Sequence, residues 1–227
     1  MRTAMAACVL MTGAAIVGCS DRSAATATPA TIIDACGLLQ TQWAFEGVST
    51  DGFKTTVADG FTGGDAAAVP GTAHGGMQAL RVGPLLAQAG PKGEVFKPFV
   101  AVEKVLCEQG GGDPRGSKVS AYVFFDGPAI VQPPEDNGLS AVPSCAIAFL
   151  GAGRTFGSDL PDGLRASYTK LVAQQWLKVE GYFPRVDNGP QWASSPVTFQ
   201  VFCNPVGIVA STWQGTMYVD DVSISGS

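Results

Sequence analysis

The sequence predicts an all-β fold, an antiparallel β-sandwich, and three observations carry that expectation. Glycine (29) and proline (15) punctuate the 227 residues above their ordinary usage, which favours many turns and short strands. Nine short apolar runs lie between Gly, Pro and Asp clusters. Two of these runs alternate with a period of two. Val119, Ala121, Val123 and Phe125 fall on one face against Ser120, Tyr122, Phe124 and Asp126, and Val197, Phe199 and Val201 fall against Thr198, Gln200 and Phe202. Alternation of this kind belongs to antiparallel strands with one face on a core and the other outward.

Taken in chain order, residues 1–18 form an export leader. Arg2 precedes a mostly apolar stretch from Ala4 to Ala15, shorter than the roughly 20 residues of a membrane-spanning helix and closed by small residues. Its end, Ile16-Val17-Gly18-Cys19, resembles the lipobox of bacterial lipoproteins, in which the residue matching Cys19 takes lipid on its sulfur and becomes the new N-terminus. That resemblance implies attachment to the bacterial cell envelope. An acidic residue directly after the lipidated cysteine favours inner-membrane retention; Ser20 stands there, with Asp21 one further on, so the outer membrane is favoured. Residues 19–35 read as a flexible, small and polar tether, and residues 36–227 as one β-sandwich domain.

Within the domain the expected strands are Gln42–Glu46, Gly52–Ala58, Ala79–Val82, Val95–Leu106, Lys118–Asp126, Ser144–Leu150, Gln175–Phe183, Val197–Cys203 and Thr216–Ile224. One helix is expected over Leu160–Gln174, from Leu164, Tyr168 and Leu171 at helical spacing. Trp43 and Trp176 lie within strands and are expected in the core, whereas Trp192 and Trp213 sit in Gly- and Pro-rich loops where tryptophans can anchor a ligand. Apart from Cys8 in the leader and Cys19, four widely spaced cysteines remain: Cys36, Cys107, Cys145 and Cys203. Outside the cytoplasm they read as two disulfides, and no C-x-x-C pair suggests zinc. Three pairings are open; the expected one joins Cys107 to Cys145, both flanking predicted strands, and leaves Cys36 with Cys203.

Four segments together resemble a known family. They are Trp43-Ala44-Phe45-Glu46-Gly47 with Asp51-Gly52-Phe53, then Gly75-Gly76-Met77-Gln78-Ala79-Leu80-Arg81-Val82, then Gln175–Phe183, and last Gly215-Thr216-Met217-Tyr218-Val219-Asp220-Asp221-Val222-Ser223-Ile224. In order and spacing they resemble galactose-binding-like jelly-roll modules, in particular carbohydrate-binding modules of the family 4 and 9 type. The resemblance implies a structural calcium held by the backbone carbonyl of Ala44 (or the side chain of Glu46), the backbone of Gly76 and the carboxylate of Asp220. Calcium takes about six to eight oxygen ligands, which carbonyls and carboxylates supply. It also implies a glycan platform on an outer sheet face. Thr198, Gln200 and Phe202 would form it, extended by Tyr122, Phe124 and Asp126 if the two strands lie side by side, since aromatic rings stack on sugars while amides and acids read hydroxyls.

Other functions find little support. A net charge of −5 and the absence of a basic stripe argue against nucleic acid. The single histidine, His74, lies in a Gly-rich segment with no nucleophile-elbow sequence near it, and no phosphate-cradling Gly loop is present. Asp126, Glu135 and Glu180 are available as a carboxylate pair, but strand and loop acids are usually solvated, so no enzyme is expected. The expected protein is an exported, lipid-anchored, non-catalytic module that holds polysaccharide or cell-wall glycan at the envelope. The alternative is a structural or adhesive lipoprotein that contacts another protein through the same sandwich.

Overall fold

A computed structural model describes residues 40–58, 61–87, 99–108, 114, 116–127, 144–151, 169–183, 196–204 and 213–226. The described residues form twelve strands and no helix: β1 Gln40–Trp43, β2 Lys54–Ala58, β3 Phe61–Gly63, β4 Ala66–Pro70, β5 Gln78–Ala87, β6 Phe99–Cys107, β7 Ser117–Asp126, β8 Ser144–Leu150, β9 Thr169–Lys170, β10 Leu177–Tyr182, β11 Val197–Asn204 and β12 Trp213–Gly226. Two antiparallel sheets result, as the sequence predicts. One has seven strands, running β10-β7-β12-β5-β3 with β1 also on β12 and β4 also on β5; the other has five, in the order β2-β6-β11-β8-β9.

The period-two runs work as read. From β7, Val119, Ala121, Val123 and Phe125 are buried, and from β11 Val197, Phe199 and Val201 are buried. Leu80, Val82 and Leu85 of β5, Met217 and Val219 of β12, Val100 and Val102 of β6, and Ile147 and Phe149 of β8 join them in one core between the sheets. Its aromatic residues meet edge to face: Phe149 against Phe183 at 4.8 Å and Phe45 against Phe53 at 5.4 Å between ring centroids. Each such side chain contributes about 2–3 kcal/mol through burial alone. Trp43 packs against this core as expected, edge-on to Phe53 at 5.3 Å.

Four elements differ from expectation. Strands β3 and β4 were invisible because Phe61-Thr62-Gly63 is short and Ala66-Ala67-Ala68-Val69-Pro70 is rich in alanine, which is depleted in strands. Their partner β5 supplies the pairing, and Pro70 falls at the end of β4, where a missing N–H costs least. The helix expected over Leu160–Gln174 gives way at its end to β9, where Thr169 pairs with Cys145, and to a loop with Gln174 in the left-handed region (φ 58). Leu171 is buried from that loop. The earlier part of the segment, with Leu164 and Tyr168, lies outside the described residues.

The disulfide expectation is also corrected. Cys145 bonds Cys203, not Cys107. The two are directly opposite each other on neighbouring strands β8 and β11, with Cα atoms 4.0 Å apart and both side chains buried. The Cys36–Cys203 pairing falls with it. Cys107 is itself disulfide-bonded, and Cys36 lies outside the described residues, as does Cys19.

Candidate functional site

The strand β12 changes neighbour partway along. Its first half pairs with β5 up to Val219, and its second half pairs with β1 from Val222 onward. Opposite β7 the register slips by one residue between Asp220 and Ser223, and Asp221 adopts a positive φ of 45°. This is a β-bulge, which re-aims side chains without breaking the sheet. It keeps Val219 and Val222 in the core and leaves two successive acids where neither β5 nor β1 pairs with the strand.

The loop before β5 occupies that gap. Asp220 is fully buried, and its Oδ2 accepts from the backbone N–H of His74 (2.8 Å) and Gly75 (3.1 Å) while Oδ1 accepts from the N–H of Asp221 (2.8 Å). Burial pushes the Asp220 carboxyl above its usual value, and the three N–H donors partly offset that rise. Asp221 bonds His74 Nδ1 at 2.8 Å. Glu46, carried beyond β1 by Phe45 in the left-handed region (φ 53), accepts from the N–H of Met77 at 3.0 Å and 3.1 Å. Gly76 is required at this point: its φ is 65°, and a Cβ there would overlap the Glu46 carboxylate.

Of the predicted set Ala44, Glu46, Gly76 and Asp220, the last three converge on the loop before β5, but the donor chemistry around the two carboxylates does not suit calcium. Calcium needs oxygen ligands, and the groups facing both carboxylates are N–H donors. Among the described residues no group of three or more His, Cys, Asp or Glu side chains gathers to hold a metal. Hydrogen bonds to Asp220, Asp221 and Glu46 hold the loop.

The expected single platform divides between two opposite faces. Tyr122, Phe124 and Asp126 point outward from β7 in the seven-stranded sheet, whereas Thr198, Gln200 and Phe202 stand on the outer side of β11 in the five-stranded sheet. Alternation told which residues point away from the core and carried no information about which sheet each strand joins. On the seven-stranded face, Tyr122 is covered by the ring of His74, stacked at 3.4 Å and 15°. Trp176, expected in the core, precedes β10 and lies outside it, 5.7 Å from His74 and 5.5 Å from Phe124. Phe124 in turn meets Tyr218 edge-on at 6.0 Å. This aromatic layer pins the loops carrying His74 and Trp176 to the sheet, and it covers one ring face of half-buried Tyr122. Asp126 is exposed at the end of β7. Trp192 and the side chain of Trp213, which opens β12, lie outside the described residues.

On the five-stranded face a polar row runs from the edge strand β2 to the central strand β11. Glu103 of β6 is paired in register with Gln200 of β11. Gln200 Nε2 donates to Glu103 Oε2 at 3.3 Å, and Thr56 of β2 donates to Glu103 Oε1 at 2.9 Å. Gln200 is only 2% exposed, and its Oε1 is buried with no hydrogen-bond partner. Among the described residues, two other buried polar atoms share that condition, Thr55 Oγ1 and Arg81 Nε. Half-buried Thr198 and Phe202 flank Gln200 along β11, and Ala148 beside it on β8 adds no bulk. Sequence reasoning missed Glu103 and Thr56. Glu103 and Lys104 are the only charges in Phe99–Cys107, and period two puts Glu103 on the outer side, a signal that was available.

No protein-family model matches the chain, and no curated protein matches it in sequence. Solved structures do resemble it. A chain from a study of the promiscuous specificity of carbohydrate-binding modules of the β-sandwich superfamily superposes with a TM-score of 0.50 at 12% identity, covering 80% of this chain and 60% of that one. The xylan-binding domain CBM22-2 of Paenibacillus barcinonensis Xyn10C gives 0.44 at 14% identity over 82% of this chain and 99% of that one. The family 11 carbohydrate-binding module of the Clostridium thermocellum cellulase Lic26A-Cel5E gives 0.42 at 12% over 83% and 95%. The fold is that of the carbohydrate-binding-module β-sandwiches, and at these identities the likeness is one of fold.

Proposed function

We propose that this chain is an exported, lipid-attached, non-catalytic module that binds glycan through the outer face of its five-stranded sheet. The observation that carries the reading is the hydrogen-bonded Thr56–Glu103–Gln200 row on the outer side of this sheet, in which Thr56 and Glu103 are half-buried. A sugar hydroxyl would bond the half-buried Glu103 and Thr56, whose positions are fixed from beneath by the buried Gln200. Phe202 and Thr198 beside it would meet the ring's C–H face and further hydroxyls, and Glu103 would accept from them. The leader and Ile16-Val17-Gly18-Cys19 support attachment to the envelope through Cys19.

Calorimetric titration with soluble neutral oligosaccharides tests the reading. Gln200→Ala and Glu103→Ala should each weaken binding about tenfold or more, matching the loss of one well-placed hydrogen-bonding group. Unchanged affinity in both variants, or no heat at millimolar ligand in the parent, would overturn it. One observation favours the protein-contact alternative: Val48 is 99% exposed and Met77 74% exposed, on loops joined through Glu46. A silent sugar titration together with a partner released by Met77→Ser would favour that second reading.

A further inference from the structure

We propose a second saccharide site, for an acidic sugar, on the opposite side of the sandwich along β10 and β7. It is separate from the Gln200 face and does not depend on it. An open groove of about 470 Å³ lies there, within the size range of small-ligand clefts. Lys118 and Ser120 of β7 and Lys178, Glu180 and Tyr182 of β10 line it, because alternate residues of these paired strands share the outer face.

Each part suits a pyranose. Tyr182 is 49% exposed, an uncovered aromatic ring in contrast to the buried Phe183 next to it, and gives a stacking surface for sugar C–H groups. Lys178 and Glu180 pair at 2.7 Å across one side of the groove and together offer a donor and an acceptor to vicinal hydroxyls. Both are largely exposed, so the pair adds little to stability and both groups stay available. Ser120 Oγ lies 2.9 Å from Ser223 Oγ, leaving a further hydroxyl at the groove floor.

Charge selects the sugar. Two lysines face one glutamate, and the Lys178 charge is already answered by Glu180. Lys118, directly opposite Tyr182 in the register, carries the charge left over. A carboxylate on a ring stacked on Tyr182 would come within its reach. Two faces binding two chains would make the module a cross-linker of polysaccharide.

The test is titration of the full chain with a galacturonate trisaccharide and with a neutral glucose trisaccharide, followed by amide chemical-shift changes. The acidic ligand should move residues of β10 and β7. Tyr182→Ala should cut its affinity about tenfold, Lys118→Gln about threefold or more, and Tyr182→Phe, which keeps ring and fold, should cost less than about twofold. Raising salt should weaken it, as for an exposed charge pair. Gln200→Ala should leave it unchanged, so failure of this site and failure of the Gln200 face are told apart. Shifts confined to other strands, insensitivity to both Tyr182→Ala and Lys118→Gln, or equal competition by the neutral trisaccharide would overturn the proposal. A partner protein displacing no sugar yet sensitive to Tyr182→Ala would overturn it too.

Discussion

The two outer faces of this sandwich are built from strands with the same period-two pattern, yet they do different work. The five-stranded face keeps a continuous polar row, Thr56–Glu103–Gln200, from its edge strand β2 to its central strand β11. The seven-stranded face spends its middle on holding loops: Asp220 and Asp221 grip residues 74 and 75, and His74 and Trp176 cover Tyr122 and Phe124. At β10 that second face opens into a groove. A residue's outward position therefore says little about its availability. What decides is whether a neighbouring loop has a reason to sit on it, and here the reason is the bulge in β12.

The sharpest way to break this contrast is to remove the grip. Asp220→Ala leaves the N–H groups of His74, Gly75 and Asp221 without their acceptor in a buried place. Denaturant unfolding should show a loss of about 3–5 kcal/mol, the scale of stranded donors and a lost charged acceptor. A loss under about 1 kcal/mol would mean that water replaces the carboxylate and that the loop is held by other contacts. The pH dependence carries its own sign. Burial raises the Asp220 pKa above its unfolded value, so the folded chain binds that proton more tightly than the unfolded chain. This group's contribution is then most favourable below the ordinary carboxylate range and declines as pH rises through the raised folded value. Asp220→Asn should flatten that part of the stability profile.

A smaller effect separates the faces directly. Tyr122→Ala removes the ring that His74 stacks on and should cost about 1–3 kcal/mol of stability. Binding at the Gln200 face should stay within about twofold, because Tyr122 lies on the other sheet. A tenfold fall in that affinity would mean that the two faces communicate through the core between them.

Much of the fold was legible because burial writes itself into alternation. The bounds of β8 and the core sides of β7 and β11 follow directly from Ser144–Leu150, Val119–Phe125 and Val197–Val201. Strands β3 and β4 were not legible, since alanine-rich and three-residue strands exist only by pairing with β5. Sheet membership was not legible either. Nothing local in Tyr122-Val123-Phe124 or Thr198-Phe199-Gln200 records which strands lie beside them, and that non-local fact separated the two halves of the expected platform. The same holds for Cys145, whose partner is set by the β8–β11 register rather than by spacing along the chain. At the junction the residue identities were readable: Glu46, Gly76 and Asp220 do meet one loop. Their chemistry was not, because a sequence shows carboxylates but not whether carbonyls or N–H groups turn toward them.

That last distinction yields the smallest expected effect. With N–H donors on both carboxylates, melting in millimolar calcium chloride and in chelator should agree within about 1–2 °C. A site loaded at a hundred times its dissociation constant would instead add about 2.7 kcal/mol, or roughly 5–10 °C for a chain of this size. A rise of that size, lost in Asp220→Asn, would mean that the peptide groups at residues 74–77 turn over so that their carbonyls face the acids. Such a turn is sterically open to Gly75 and Gly76. It is not free, because the stack of His74 on Tyr122 and the bond from His74 to Asp221 would have to move with it. Calcium-dependent change in the Tyr122 environment, read by near-ultraviolet circular dichroism, would therefore have to accompany any real calcium stabilisation. Its absence would assign an apparent shift to ions elsewhere on the surface.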